Sequence, residues 1–112
     1  MKILLDTSFL ISAIKYKIDF LNELKGHELV ILEPIKIELE KLIKGKKKGN
    51  LEAKIALELI KINKIKIKKT DIKEADDALA NENEIVATQD KELKKRLKKV
   101  ITIRQKKFLI GI

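Results

Sequence analysis

The 112-residue chain has no cysteine and one histidine, His27. Without cysteine there can be no disulfides, thiolate zinc sites or cysteine nucleophiles. A lone histidine in an expected loop weighs against acid–base chemistry built on imidazole. Aromatic residues make up 4% of the chain. Of these, Phe9 and Phe20 sit in apolar stretches that mark them as core, which leaves only Tyr16 and Phe108 for base stacking, so sequence-specific readout is not indicated. No apolar run approaches the roughly 20 residues of a membrane-spanning helix, and the N-terminus enters a strand pattern directly, without a signal peptide. The expectation is a soluble, cytoplasmic protein with no membrane partner, folded as one domain over residues 1–112.

Positive charge is abundant. Lys and Arg number 26 against 17 Asp and Glu, for a net charge of +9. Such a surface suits a polyanion: RNA, DNA or an anionic membrane. The lysines cluster in "GKKKGN" (45–50), at 64–69, and in "KKRLKK" (94–99) with Arg104, Lys106 and Lys107 nearby. Each cluster reads equally well as a solvated face. If RNA is the partner, the binding expected is phosphate-dominated and salt-sensitive.

Apolar runs alternate with amphipathic stretches. Strands are expected at "KILLD" (2–6), "ELVIL" (28–32), "IKIKK" (65–69), "EIVAT" (84–88) and "VITI" (100–103). The alternating "IKIKK" has one wet face and belongs near a sheet edge. Helices are expected at 7–16, 18–25, 34–44 after Pro34, 51–62 and 90–99. Another is expected at 72–82, opened by Asp71 and Glu74 as a capping box. This rhythm implies an α/β three-layer sandwich with a mainly parallel central sheet.

Ligands of open parallel sheets bind beyond the carboxyl ends of the strands. Several acids fall at that edge. Asp6 ends the first strand, and Asp90 stands just past "EIVAT". Asp76 and Asp77 open the helix feeding that strand, and Glu38 lies one turn into the helix after "ELVIL". At about 100° per residue, Ile35, Leu39, Leu42 and Ile43 form one stripe, with Glu38 on its border. Each acid has an ordinary reading too: Asp6 and Asp90 as helix caps, the others as solvated surface. Together they would repel one another unless a positive charge sits among them. The lysines are too dispersed in sequence to be assigned that role, so a hard divalent cation, Mg²⁺ or Mn²⁺, is the economical counter-charge. An acid-held cation inside a basic surface suits phosphodiester hydrolysis.

In order and spacing, "ILLDTSFLI", "LEPIKIELEKL", "ADDALA" and "IVATQDKELKKRLKK" followed by "VITIR" resemble the PIN-domain nucleases over essentially the whole chain. "DTSFL" and "ATQDKEL" are the most specific pieces. "IDFLNELK" and "LEAKIALELI" look most like archaeal PIN proteins related to the eukaryotic small-subunit ribosomal RNA processing nuclease, with the VapC toxins of toxin–antitoxin pairs close behind. The resemblance implies an endoribonuclease dependent on Mg²⁺ or Mn²⁺, with Asp6, Glu38, Asp76 and Asp90 as catalytic and metal-binding acids and Asp77 as the fallback for Asp76. It further implies that Thr7, Ser8 and Thr88 orient carboxylates or water. The implied partners are RNA, a second copy in a homodimer, and either an antitoxin or a ribosome-assembly factor. The interval from "ADD" to "ATQD" is about one helical turn shorter than the family pattern, so a truncated helix is expected there. A catalytically silent RNA- or ribosome-binding module is the rival from another class. Phospho-acceptor receiver domains and haloacid-dehalogenase-type phosphatases fit less well, because "DTS" lacks the further acid both would place there.

Overall fold

A computed structural model describes residues 1–111. Within them, β1 (Lys2–Leu5) leads into α1 (Thr7–Lys15) and the short α2 (Phe20–Glu23). β2 (Glu28–Leu32) is followed by α3 (Glu33–Gly45), α4 (Asn50–Ile62) and β3 (Lys66–Lys68). Then come α5 (Ala75–Asn81), β4 (Ile85–Ala87), α6 (Lys91–Lys94), β5 (Val100–Arg104) and β6 (Phe108–Gly111).

The strands form one sheet in the order β3-β2-β1-β4-β5-β6. All neighbours are parallel except β5 and β6. Each of Ile3, Leu4 and Leu5 is almost fully buried, as a central parallel strand covered on both faces requires. From β1 the chain steps through β2 to β3 in one direction, and from β4 to β5 in the other. Right-handed crossovers therefore send α1 to α4 to one face and α5 and α6 to the opposite one, giving the three-layer α/β sandwich. Helices α1, α3 and α4 pack on one another. Phe9 and Phe20, both buried, meet edge to face with centroids 6.0 Å apart. The step reverses between β1 and β4, and an open sheet has its natural crevice at such a switch point.

Four local expectations change. First, α5 begins at Ala75 rather than near residue 72. The Glu74 carboxylate is itself the cap, accepting from Asp76 N at 2.9 Å and Asp77 N at 3.0 Å. Asp71 lies outside the helix, so no Asp71–Glu74 box forms. Second, α6 is a single turn instead of running to residue 99. Beyond it Arg96 N and Leu97 N bond three residues back, to Leu93 O and Lys94 O, and this tighter winding ends the helix before β5. Third, β6 follows a reversal that sequence did not announce. Gln105 and Lys106 both take positive φ, 54° and 58°, with neither glycine nor asparagine to mark the turn. Fourth, β3 does lie at the open edge, but Ile67 is itself 38% exposed.

Candidate active site

The floor of the crevice is where β1 and β4 end side by side, Leu5 in register with Ala87. Asp6 leaves β1 as the N-cap of α1, its Oδ1 accepting from Thr7 N at 2.8 Å. Its Oδ2 accepts two hydroxyls, Ser8 Oγ at 2.8 Å and Thr88 Oγ1 at 2.6 Å. The residue is only 4% exposed. Three donors around one buried carboxylate satisfy both of its oxygens and fix its plane. The cap reading of Asp6 holds through Oδ1, while Oδ2 is left to the two hydroxyls.

Ser8 and Thr88 also tie the two strand ends together. Ser8 Oγ lies 3.1 Å from Thr88 Oγ1 and accepts from Gln89 N at 3.0 Å. Thr88 Oγ1 accepts from Asp90 N at 3.1 Å. Asp90 caps α6 with Oδ1, which accepts from Glu92 N and Leu93 N, and Oδ2 carries no hydrogen bond among the described residues. The exit of β4 thus repeats the exit of β1 in placing one oxygen on a helix cap; the other oxygen is held by two hydroxyls in Asp6 and is left open in Asp90.

The wall comes from α3. Its stripe buries Ile35 and Leu39, and Glu38 stands at the stripe's border, on the crevice side. Thr7 Oγ1 donates to Glu38 Oε1 at 2.7 Å. Burial raises the Glu38 pKa; the Thr7 bond lowers it, Asp6 and Glu74 raise it further, and Lys41 lowers it. The net shift is upward.

Helix α5 supplies the opposite wall and separates two adjacent aspartates. Asp77 is exposed and accepts from Arg96 Nη2 at 2.7 Å, away from the crevice. Asp76 lines the crevice and has no hydrogen-bond donor to its carboxylate among the described residues. Burial raises its pKa to about 6, helped by the negative charges of Asp6, Glu74, Asp90 and Glu38.

Asp6, Glu38, Asp76 and Asp90 therefore line one cavity of about 490 Å³, along with Thr7, Ser8, Leu42 and two lysines. Those lysines, Lys41 and Lys47, correct the expectation that no lysine could be assigned to the acids. Lys41 lies three residues after Glu38 on α3 and so falls on the same face, a spacing readable in the sequence. Lys47 arrives through the turn that follows Lys46, whose φ is 50°, and no sequence spacing shows that.

Among the described residues no three carboxylates converge tightly enough to make a ready-built metal cage. The donor set is nevertheless all oxygen, and magnesium-like ions keep several waters and need only one or two direct carboxylates. The Asp76 pKa, raised first by burial and then by the charges of Asp6, Glu74, Asp90 and Glu38, marks a carboxylate short of a positive partner. The residues present fit a hard divalent cation.

Comparison with known proteins identifies the family and the fold. A family model described as "PIN like domain" matches residues 3–106. "Ribonuclease VapC4" of Methanocaldococcus jannaschii is 43% identical over an alignment of 122 positions, covering 96% of this chain and 93% of that protein. The solved PIN domain endonuclease Utp24 superposes with a TM-score of 0.81 at 24% identity, over 98% of this chain and 90% of its own. That likeness speaks to the fold. No helix among the described residues is long and apolar enough to cross a membrane. With its sheet order, its switch-point crevice and a family match running through nearly the whole chain, this protein belongs to the PIN-like domain family.

Proposed function

We propose that this protein is a divalent-metal-dependent endoribonuclease acting as one PIN-like domain, with Asp6, Glu38, Asp76 and Asp90 holding Mg²⁺ or Mn²⁺. The observation that carries the reading is the single cavity where those four acids meet two lysines. A divalent ion bound there would supply Lewis-acid polarisation of a phosphate and a water acidic enough to serve as nucleophile near neutral pH.

The chain's own residues do the rest. Ser8 and Thr88 hold the Asp6 carboxylate rigid, so it need not reorganise when substrate arrives. Thr7 orients Glu38. Lys41 and Lys47 bind the RNA phosphate at the cavity rim, and the outer lysines gather the strand through its backbone. Leu42 presents an apolar wall, and no aromatic ring lines the cavity. The site therefore selects phosphate and strand path rather than base identity.

The toxin ribonuclease of a toxin–antitoxin pair is the biological role we favour over ribosomal RNA processing. The curated relative that covers nearly the whole chain at 43% identity is a VapC ribonuclease, whereas the Utp24 likeness lies at 24%. On that reading the partners are RNA, an antitoxin and a second copy of the chain, and the compartment is the cytoplasm. A processing enzyme would instead meet a ribosome-assembly factor. An antitoxin reading frame beside this one supports the toxin role, and its absence supports processing.

The direct test is cleavage of single-stranded and structured RNA with Mn²⁺ by the wild type and by Asp6→Asn. Loss of cleavage in the variant is expected. Equal cleavage by both would remove the proposal, and RNA binding without cleavage by the wild type would leave the silent binding module in its place.

A further inference from the structure

The proposed reaction leaves Gln89 unused, although no side chain near the site makes more hydrogen bonds. Its Oε1 accepts from Thr102 Oγ1 at 2.7 Å and from Ile103 N at 2.7 Å, and its Nε2 donates to Ile103 O at 3.3 Å. Thr102 and Ile103 are 1% and 7% exposed, so water cannot easily replace these bonds.

The sheet explains why the amide is there. Val86 N and Thr88 N donate to Lys99 O and Ile101 O, carrying the parallel ladder one residue past the end of β4. One step on, the β4 backbone turns away toward α6, but β5 continues and its next buried amide, Ile103 N, still needs an acceptor. Gln89 Oε1 stands in for the missing strand carbonyl. Beyond it, Lys94 of α6 donates Nζ to Thr102 Oγ1 at 2.9 Å, and that hydroxyl donates onward to Gln89. The turn carrying Asp90 is thus clamped to β5 from both sides of the carboxylate, by Gln89 before it and Lys94 after it.

We infer that Gln89 is a positioning residue that fixes Asp90 for cation binding by completing the β4–β5 ladder with its side-chain amide. The inference rests on the proposed metal-dependent reading of the cavity. Gln89 itself contacts neither substrate nor ion. Its effect passes through the backbone of the Thr88–Gln89–Asp90 turn. Thr88 N still reaches Ile101 O of β5, but after Thr88 the other ties, Gln89 N to Ser8 of α1 and Asp90 N to Thr88, do not reach β5.

The experiment measures Mn²⁺ binding to the RNA-free full chain, by electron paramagnetic resonance of free Mn²⁺, alongside melting temperature. Gln89→Leu removes all three bonds, and its dissociation constant should rise about 10-fold or more, the range seen when an outer-shell support is lost. Gln89→Glu keeps both acceptor bonds and should stay within about threefold of wild type. Ile101→Val destabilises the same strand without touching the clamp, and should lower melting temperature with Mn²⁺ affinity unchanged. In an Asp90→Asn background, adding Gln89→Leu should cost nothing further. If Gln89→Leu does not fold, Thr102→Val carries the same comparison at about fivefold. Wild-type affinity in Gln89→Leu (or in Thr102→Val where that substitutes for it), or a Gln89→Leu effect that persists in full without the Asp90 carboxylate, overturns the role of Gln89 alone. Wild-type affinity and cleavage in Asp90→Asn overturns both this inference and the reading beneath it.

Discussion

The floor and the α5 wall of the cavity each present a carboxylate, but they hold it differently. On the floor, Asp6 is nearly inaccessible and accepts three hydrogen bonds from three residues on two elements. On the wall, Asp76 has no donor to its carboxylate among the described residues, and its pKa climbs to about 6 under burial and its neighbours' charge. A buried carboxylate surrounded by donors has its oxygens satisfied, whereas one without donors, partly out of water and facing other acids, remains charged only at the expense of stability. The floor is therefore preorganised without any ligand, and the wall stores the repulsion that a bound cation would relieve.

The largest effect should come from the floor. Asp6→Asn keeps the shape but not the charge, and cleavage should fall about 100-fold or more in a Mn²⁺-dependent RNA assay. Asp6→Ala goes further, leaving the buried Thr88 hydroxyl, the half-buried Ser8 hydroxyl and an amide short of an acceptor at about 1–3 kcal/mol for each group cut off from water, read as a lower urea midpoint. Cleavage unchanged in Asp6→Asn would break the comparison at its root.

The two aspartates of α5 give the next contrast. Asp76→Asn should lose at least about 10-fold in cleavage, while Asp77→Asn, which only breaks the exposed pair with Arg96, should stay within about twofold. The reverse order would move the third acid to Asp77.

The lysines at the rim should act through affinity. Lys41→Ala and Lys47→Ala should each raise the RNA dissociation constant several-fold and lower the salt slope of log K by about 0.7. A change in turnover alone, with the slope intact, would assign them a role at the reacting phosphate instead.

The smallest effect is on stability and carries a definite sign. The folded pKa of Asp76 lies above its ordinary 3.8, so the folded state holds the extra proton more tightly. The resulting stabilisation is fully present below about pH 4 and is lost as pH rises through about 6. Asp76→Asn removes the charge, so without metal it should melt higher than wild type at pH 7.5. After discounting for solvent screening the gain is about 1 kcal/mol, and it should vanish below pH 4. Mn²⁺ at millimolar concentration should narrow the gap by stabilising the wild type alone. A variant less stable than wild type at pH 7.5 would mean the wall is not strained by charge.

Much of this arrangement could be read in the sequence, for identifiable reasons. The strands of the sheet core announced themselves because burial on both faces demands unbroken apolar runs, as in "ILL" and "VIL". Asp6, Glu38 and Asp90 could be placed at one edge because parallel topology sends every strand's carboxyl end to the same side. Where sequence reasoning failed, one local arrangement had replaced another. The cap of α5 is Glu74 itself, not the Asp71–Glu74 box. α6 winds down early, although "KELKKRLKK" has helical composition throughout. The hairpin to β6 turns through two residues of left-handed backbone that carry no turn signature.

The sequence alone determined the alternation of strands and helices, the surplus of lysine, and the placing of four acids at strand and helix ends. Those are properties of residue spacing, and spacing survives without knowledge of any partner. Tertiary structure decided which of two adjacent aspartates faces the crevice, which lysines join the acids, and that a glutamine side chain completes a ladder its own backbone abandons. Each of these depends on distances between residues remote in the chain, and such distances exist only once the sheet has fixed the order of its strands.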